Sequence, residues 1–218
     1  MKKLLFSALV VCAIALSFVA CSSDDDEQPQ HIVSPTKLEA VDLGLPSGTK
    51  WCNMNVGSTK PELYGEYFAW GETVSRDSFS VWITSDYTDF IAKIVAEVGS
   101  DMGGTKYDAA TKILGDSWRT PTMAQFEELI NSCEWTWTIL NGMKGYTVTG
   151  SNNNSIFLPA CGDWFRENPR SVGALGVYLI SNLEGMDVNY FYFSEVMTNF
   201  NIDARAIGRN IRAVYVEK

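Results

Sequence analysis

A chain of 218 residues, 46% hydrophobic and 12% aromatic, has the length and composition of one globular domain with a sizeable core, so we expect one domain. The formal net charge of −9 excludes non-specific attraction to nucleic acid or to an anionic lipid surface. The one histidine, His31, lies in a polar N-terminal stretch, which excludes Ser-His-Asp catalysis, Cys-His catalysis and imidazole metal ligands from the remainder of the chain.

Residues 1–20 have the features of a signal peptide, since Lys2 and Lys3 precede an apolar run over residues 4–20. The run ends in FVAC, which resembles a bacterial lipobox, so we predict that Cys21 becomes a lipidated N-terminus. The alternative is ordinary cleavage near residue 20 without a lipid. Removal of the two lysines changes the formal net charge from −9 to −11, so attachment to a membrane would come from the lipid alone.

Residues 21–37 are predicted to be a flexible tether, because they lack apolar periodicity and contain four adjacent acids at residues 24–27. The acidic run resembles the export signal that sends lipoproteins of the Bacteroides group to the outer face of the outer membrane. The alternative is a solvated linker, and both interpretations can hold together. We therefore expect a lipid-anchored protein of the outer membrane that faces the outside of the cell.

The predicted domain, residues 38–218, begins with short elements. Residues 41–51 are typical of two short strands joined by a Gly/Pro turn, with Trp51 as their anchor. Residues 107–114 predict a short helix. Another helix that ends at Gly99 is indicated by an apolar stripe formed by Ile91, Ile94, Val95 and Val98.

The clearest helix starts after Thr122, which has with Gln125 the spacing of a capping box. After Glu134 the apolar period changes to two, so residues 135–139 predict a half-buried strand. An Asn-Gly pair at residues 141–142 then marks a turn. The helix is expected to lie on the core through an apolar stripe formed by Phe126, Leu129, Ile130 and Cys133.

The rest of the chain is predicted to be mostly strand, interrupted by a polar loop over residues 162–175. Helices early and a sheet late indicate an α+β domain with two or three short helices and antiparallel sheets. The predicted strands are residues 146–149 and 156–158, which form a meander with residues 135–139, followed by residues 177–180, 188–193, 196–202 and 207–216.

Beyond Cys12 and Cys21 the chain has three cysteines, an odd number, so at least one of them is free or pairs outside the chain. Cys133 is predicted to be a small buried hydrophobe, and a bridge between Cys52 and Cys133 stays open. The tryptophans that we assign to the core are Trp51, Trp70, Trp118, Trp135 and Trp137.

Five blocks of the sequence are similar to the Fibrobacter succinogenes major paralogous domain, a family abundant in surface lipoproteins of Bacteroides-type bacteria. The blocks are AVDLGLPSGTKWCNMNVG, PELYGEYFAWGET, YDAATKILGDSWRTPTMAQFEELINSCEWTW, GMKGYTVTG and NSIFLPACG. The resemblance covers about residues 38–218 and is strong up to Gly162. It implies a C-type-lectin-like fold, related to formylglycine-generating enzymes and to the variable proteins of diversity-generating retroelements. In that fold a sheet joins the two ends of the domain, and loops of the second half form the ligand surface.

Two departures from the family pattern lie in the second half. Many relatives have Tyr-Trp-Ser-Ser where this chain has YLIS at residues 178–181, and Ser-Val-Arg-Pro where it has NIRA at residues 210–213. Residues 163–205 differ most from the family, and the ligand loops of a lectin-like domain usually lie there. The resemblance therefore implies a ligand that has changed or been lost, because a fold does not confer a function.

Catalysis has little support in the sequence, and we expect no enzyme, no cofactor and no metal. A formylglycine-generating activity would need a late cysteine pair, and only Cys161 follows the central helix. No Glu-Pro-Asn or Gln-Pro-Asp triplet supports a calcium-dependent sugar site, and the asparagines at residues 152–154 predict a turn. Glycosidase chemistry through two carboxylates stays open, although scattered surface acids are commoner. The late acids are Asp163, Glu167, Glu184, Asp187, Glu195 and Asp203.

Aromatic residues of the second half are the remaining candidates for ligand binding. Trp164 lies in the predicted polar loop and is expected to be exposed. Tyr190 and Tyr192 share one face of a strand, and the other face must form core unless both faces are buried. The predicted ligand-binding residues are Trp164, Arg166, Tyr178, Asn182, Tyr190, Tyr192 and Arg205.

We therefore expect a non-enzymatic surface lipoprotein that binds a glycan or a protein through loops between residues 162 and 205, with no nucleic-acid partner. This interpretation predicts a concave patch of aromatic and polar residues. A second interpretation is an accessory or tip subunit of a surface fibre or adhesin assembly, which predicts an exposed edge strand or apolar patch. A third is a glycan-active enzyme, which predicts two late carboxylates facing each other in a cleft.

Overall fold

The computed structural model describes residues 36–76, 78–79, 85–185, 187–203 and 207–217, with the side chains of residues 85–87 and 187 excepted. The predicted signal peptide, the predicted lipidation site Cys21, nearly all of the tether and Arg205 lie outside the described residues. Within the described part, no helix combines the length and the apolar character needed to cross a membrane.

The described residues form three helices and twelve strands. The helices are α1 (Ser85–Val98), α2 (Ala109–Leu114) and α3 (Met123–Ser132). The strands are β1 (Ala40–Asp42), β2 (Lys50–Cys52), β3 (Trp118–Arg119), β4 (Glu134–Leu140), β5 (Met143–Thr149), β6 (Ser155–Pro159), β7 (Asp163–Phe165), β8 (Asn168–Arg170), β9 (Gly176–Glu184), β10 (Asp187–Ser194), β11 (Met197–Asp203) and β12 (Val214–Tyr215). All pairs between these strands are antiparallel. The prediction of few helices and several antiparallel sheets is confirmed.

One sheet, in the order β1-β2-β12-β3, joins the beginning of the domain to its end. Val214 of β12 lies opposite Trp51 on one side and opposite Arg119 on the other. Trp51 is completely buried, so the predicted anchor of the first hairpin also holds the last strand in place.

Helix α3 begins where the sequence predicts. The Thr122 N–H donates to Gln125 Oε1 at 2.9 Å, and the Gln125 N–H donates to Thr122 Oγ1 at 3.3 Å, which completes the capping box. Phe126, fully buried, packs its ring 5.0 Å from that of Trp51 and 4.6 Å from that of Phe191. Burial of such a ring contributes about 2 to 3 kcal/mol, so this contact fastens the helix to two sheets.

The predicted meander is formed by the sheet β4-β5-β6. Asn141 (φ 49°) and Gly142 (φ 84°) make the tight turn between β4 and β5. Trp135 and Trp137 meet the ring of Tyr146 edge-on at 5.4 and 5.1 Å. Both tryptophans are partly buried against the core, which confirms their assignment.

The third sheet, in the order β11-β10-β9, separates the core from a second, more open face. Phe191 and Phe193 of β10 are completely buried in the core, whereas Tyr190 and Tyr192 of the same strand are partly exposed. Gly176 of β9 lies under Phe193, and a Cβ atom there would be 2.1 Å from the ring. The absence of a side chain at Gly176 therefore lets the aromatic ring close onto the sheet.

Arg212 is completely buried, and its hydrogen bonds within the described residues go to neutral acceptors. Its guanidinium donates to Asn55 Oδ1 at 2.8 Å and to the carbonyl oxygens of Cys52 and Phe157 at 3.1 and 2.8 Å. These neutral acceptors connect the first sheet to the meander, while desolvation lowers the pKa of Arg212. The arginine therefore serves to join two layers of the fold.

Several predicted boundaries were wrong. Helix α2 starts after Asp108 because the Asp108 carboxylate caps its first turn, and Val95 of α1 is 38% exposed at the margin of the apolar stripe. Only residues 214–215 of the predicted last strand belong to a sheet, and the predicted polar loop contains the hairpin β7-β8. Cys52, Cys133 and Cys161 are free, so the bridge left open between the first two is not formed.

Candidate functional site

The hairpin β7-β8 holds a rigid ion pair. Asp163 and Arg170 lie directly opposite each other across the two strands. The guanidinium donates through Nε to Oδ1 at 2.8 Å and through Nη2 to Oδ2 at 2.5 Å, and its Cζ lies 4.3 Å from the ring centroid of Phe165. The hydrogen bonds that Arg170 donates to Asp163 raise the pKa of Arg170. A bidentate pair backed by an aromatic ring holds both charges in one geometry.

Trp164 anchors this hairpin to the body of the domain. Its backbone N–H donates to Gly208 O at 2.8 Å, and its carbonyl accepts from the Gly208 N–H at 3.0 Å. Its ring packs edge-on to Tyr67 at 5.5 Å, beside buried Phe79, and among the described residues its buried Nε1 has no hydrogen-bond partner. Trp164 was expected to be exposed and is partly buried, because its ring helps to seat the hairpin.

The open face of the sheet β9-β10-β11 lies next to this hairpin. The rings of Tyr190 and Tyr192 are 5.9 Å apart and tilted by 45°. Across the strands Tyr190 lies opposite Asn201, and Tyr192 lies opposite Asn199 and Val177. Because directly opposed residues of paired strands point to the same face, two tyrosine rings and two side-chain amides share one surface.

A buried cation lies against Tyr190. The Cζ atom of Arg209 is 4.3 Å from the Tyr190 ring centroid, and one guanidinium nitrogen is 3.5 Å from an Asp203 carboxylate oxygen. Arg209 is 0% exposed and Asp203 is 41% exposed at their side chains. Burial is the main cause that raises the pKa of Tyr190, so its phenol keeps its proton at neutral pH.

The hairpin and the sheet enclose a cleft of about 340 Å³. Its lining combines the apolar side chains of Leu175 and Val177 with the ion pair, the two tyrosines and one amide. The lining residues are Asp163, Arg170, Ser171, Leu175, Val177, Tyr190, Tyr192 and Asn201. We call this surface the tyrosine cleft.

Two residues near the tyrosine cleft have an uncommon backbone conformation. Arg166, in the two-residue turn between β7 and β8, and Ser171, which lines the cleft, both have φ of 56°. A left-handed conformation costs a residue other than glycine about 1 kcal/mol. Such conformations cluster at binding sites, and here they set the path of the segment that closes one side of the cleft.

The structure brings together only part of the predicted ligand set. Tyr190 and Tyr192 line the cleft, whereas Arg166 lies on the exposed turn outside its lining. Asn182 faces the first turn of α3, where its Oδ1 accepts from the Met123 N–H at 3.5 Å, and it does not line the cleft.

Tyr178 was wrongly predicted to contact a ligand. It is completely buried on the core face of β9, and its hydroxyl donates to Pro159 O at 2.8 Å. The strand alternates its side chains between faces, so Tyr178 points away from the cleft that Val177 lines.

Sequence reasoning missed the pairing of Asp163 with Arg170 and the contribution of Asn201. The pair depends on the hairpin, and its turn residues, Arg166 and Glu167, carry no glycine or asparagine signal. The position of Asn201 could have been predicted from the sequence. Hairpin pairing of residues 188–193 with residues 196–202 places alternate residues of the two strands on one face.

Acidic residues do not converge in the cleft. Asp163 is the one carboxylate among its described lining residues, and it is engaged by Arg170. In the described part of the chain, no group of three or more His, Cys, Asp or Glu side chains is arranged to hold a metal ion.

Comparison of the chain with known protein families, with curated proteins and with solved structures found no match. The geometry of the cleft and the residues that form it are therefore the observations that bear on function.

Proposed function

We propose that this protein is a non-catalytic binding module that takes a glycan into the tyrosine cleft. The single observation that carries the proposal is the arrangement of two adjacent tyrosine rings beside a fixed Asp163–Arg170 pair in a cleft of about 340 Å³. Small-ligand sites combine apolar and aromatic lining residues with a few oriented polar groups, and the lining of this cleft contains both.

The size of the cleft favours a glycan over a protein surface. Pockets for small ligands are roughly 300 to 1,000 Å³, and the tyrosine cleft lies at the lower end of that range. A stable protein partner covers about 800 Å² of each surface. A site of this size suits one or two sugar units.

The chemistry of the cleft also suits a sugar. The faces of tyrosine rings pack against apolar C–H surfaces, while phenol, amide, guanidinium and carboxylate groups exchange hydrogen bonds with hydroxyls. Asp163 is paired with Arg170, and hydrolysis of a glycosidic bond ordinarily requires a second carboxylate on the other side of the bond. Binding without cleavage is therefore the activity that these residues support.

We further infer that residues 38–218 belong to the C-type-lectin-like major paralogous domain family, displayed on the outer membrane through a lipid on Cys21. The resemblance of the sequence blocks supports this inference, as does the sheet in which β2 pairs with β12. The position of the tyrosine cleft within residues 163–201 agrees with the region where such a domain would carry its ligand loops.

The second candidate function, an assembly subunit, has one observation in its favour. Strand β11 is an edge strand of its sheet. Met197 and Ile202 of this strand are 43% and 46% exposed, and Val196, which precedes it, is 87% exposed. Its edge is partly closed, however, because the N–H groups of Phe200 and Ile202 donate to the preceding asparagine side chains at 2.8 Å. Strand addition would first have to break these bonds.

The proposal is tested on a glycan array with the purified chain and three variants. Tyr192→Ala removes one ring and should abolish binding, whereas Tyr192→Phe keeps the ring and should retain most of it. Tyr192 is preferred to Tyr190 because the Tyr190 ring also covers Arg209. Glu167→Ala changes the exposed turn of the hairpin β7-β8, outside the lining of the cleft, and serves as the control.

Saturable binding that is lost only in Tyr192→Ala would support the tyrosine cleft as the site. Absence of binding to every glycan, or binding that Tyr192→Ala leaves intact, would refute it. Self-association of the purified chain in sedimentation velocity, lost on substitution of Val196 by lysine, would instead favour the assembly subunit.

A further inference from the structure

We propose that the tyrosine cleft selects uncharged saccharides over acidic or amino saccharides and does so without a metal ion. The inference rests on the proposed function and names the class of glycan that the same cleft accepts. The charged groups around the cleft are already paired within the protein, and the expected selectivity follows from that pairing.

The charges around the cleft are matched within the protein. Asp163 and Arg170 neutralise each other through two hydrogen bonds of 2.8 and 2.5 Å. Arg209 is 0% exposed, faces Asp203 at 3.5 Å and is covered by the ring of Tyr190. A ligand in the cleft therefore meets no uncompensated charge from these four residues.

The remaining polar atoms of the lining suit hydroxyl groups. In the described part of the chain, no residue makes a hydrogen bond with the phenol oxygens of Tyr190 and Tyr192. The Oδ1 atom of Asn201 is engaged by the Ile202 N–H at 2.8 Å, so its Nδ2 group is the end that can donate to a ligand. A hydroxyl both donates and accepts, so it can satisfy phenols, the amide and the outer lone pairs of Asp163.

A charged ligand has a disadvantage in this cleft. A ligand carboxylate that binds the Arg170 guanidinium competes with Asp163 and comes close to the negative charge of Asp163. A ligand ammonium group that binds Asp163 likewise competes with Arg170 and comes close to its positive charge. The formal net charge of −9 also repels acidic glycans at longer range. A neutral sugar disturbs neither partner of the pair.

The metal-independent part of the proposal rests on the ligand set. Calcium takes six to eight oxygen ligands, and the described lining residues include one carboxylate, which already accepts from Arg170. Recognition through the ring faces and the fixed pair needs no additional ion.

The test uses the purified full chain and the array's best neutral binder, together with its C6-oxidised uronate form and its amino form. Dissociation constants are measured by calorimetry in EDTA and in calcium, from about 0.05 M to about 0.5 M sodium chloride. We expect the neutral form to bind more tightly than either charged form by about tenfold or more, the effect of one charge-assisted hydrogen bond. EDTA and salt should leave the dissociation constant of the neutral form unchanged.

Variants that unbalance the pair should change the preference. Asp163→Asn leaves the Arg170 charge uncompensated, so uronate binding should strengthen while neutral binding weakens. Arg170→Gln should shift the preference towards the amino form. Glu167→Gln removes a charge from the exposed turn of the same hairpin, outside the lining. This variant should change neither the affinity for the neutral saccharide nor the preference over the charged forms.

Equal or tighter binding of the uronate by the unmodified chain, or loss of neutral binding in EDTA, would overturn the selectivity and leave the glycan-binding function standing. Failure of every form to bind would overturn both. Thermal melts check that each variant is folded, and if one is not, the ratios measured on the unmodified chain decide the question alone.

Discussion

The buried carboxylate of Asp108 provides the most direct test of how the domain is held together. It is 0% exposed and caps helix α2. Oδ1 accepts from the Ala110 N–H at 2.9 Å and from the Thr120 hydroxyl at 2.6 Å. Oδ2 accepts from the N–H groups of Gly104 and Thr120, both at 2.8 Å, and from the Thr111 hydroxyl at 3.1 Å.

Asp108→Asn keeps the shape of the side chain and removes half of its acceptor capacity. In the better of the two amide orientations, Nδ2 takes the Oδ1 position, where the Thr120 hydroxyl can turn to accept and the Ala110 N–H faces another donor. One buried unpaired N–H costs about 1 to 3 kcal/mol, and loss of the charge from the other bonds costs about 1 kcal/mol more. We expect a loss of about 3 kcal/mol in the free energy of unfolding.

Urea denaturation of the domain measures this loss, and thermal unfolding should show a fall in Tm of roughly 6 to 12 °C for a domain of this size. Asp89→Asn, at an exposed position of α1, is the matched control and should stay within about 0.5 kcal/mol of the unmodified domain. A loss below about 1 kcal/mol for Asp108→Asn would refute the reasoning, since it would mean that the amide satisfies all of these donors.

Three further predictions concern the core. Gly176→Ala places a Cβ atom 2.1 Å from the Phe193 ring, so chemical denaturation should show a loss of about 2 kcal/mol in the free energy of unfolding. An unchanged denaturation midpoint would mean that the ring can move aside. Tyr178→Phe removes one of the two donors to the Pro159 carbonyl, which keeps its hydrogen bond from the Cys161 N–H, and should cost about 1 kcal/mol of stability, with glycan affinity unchanged. A loss of affinity without a loss of stability would return Tyr178 to the ligand site. Burial raises the pKa of the Cys161 thiol from 9.0 to about 11. As the pH rises, the thiol ionises in the unfolded chain before it ionises in the folded protein. The contribution of Cys161 to the free energy of unfolding is therefore complete below pH 9, and about 3 kcal/mol of it is lost as the pH rises towards 11. In Cys161→Ala the free energy of unfolding should therefore fall less steeply between pH 9 and pH 11. A slope identical to that of the unmodified protein would contradict the assignment of this loss to Cys161.

Local patterns were sufficient for the elements whose partners are close in sequence. The capping box of Thr122 and Gln125 and the Asn-Gly turn at residues 141–142 each depend on atoms a few residues apart, so their geometry follows from the residue types. The alternation of Tyr190 and Tyr192 with Phe191 and Phe193 likewise follows from strand periodicity.

Patterns in sequence were insufficient where a residue is defined by what packs on it. Trp164 lies in a polar stretch of sequence that predicts an exposed loop. Its ring is partly buried, because it packs against Tyr67 and Phe79, both distant in sequence. Tyr178 is buried because β9 carries its other face towards the cleft. Burial of this kind depends on long-range packing, which a local window of sequence does not contain.

The sequence by itself determined that the chain has few helices and antiparallel sheets, that α3 lies on a core, and that one face of β10 is apolar. Only the tertiary structure decided which polar residues share a site, because Asp163 and Arg170 on one hairpin meet Tyr190 and Asn201 on another sheet only after both have docked. The physical reason is that periodicity specifies which way a side chain points along its own strand, whereas the groups it faces come from the packing of separate elements.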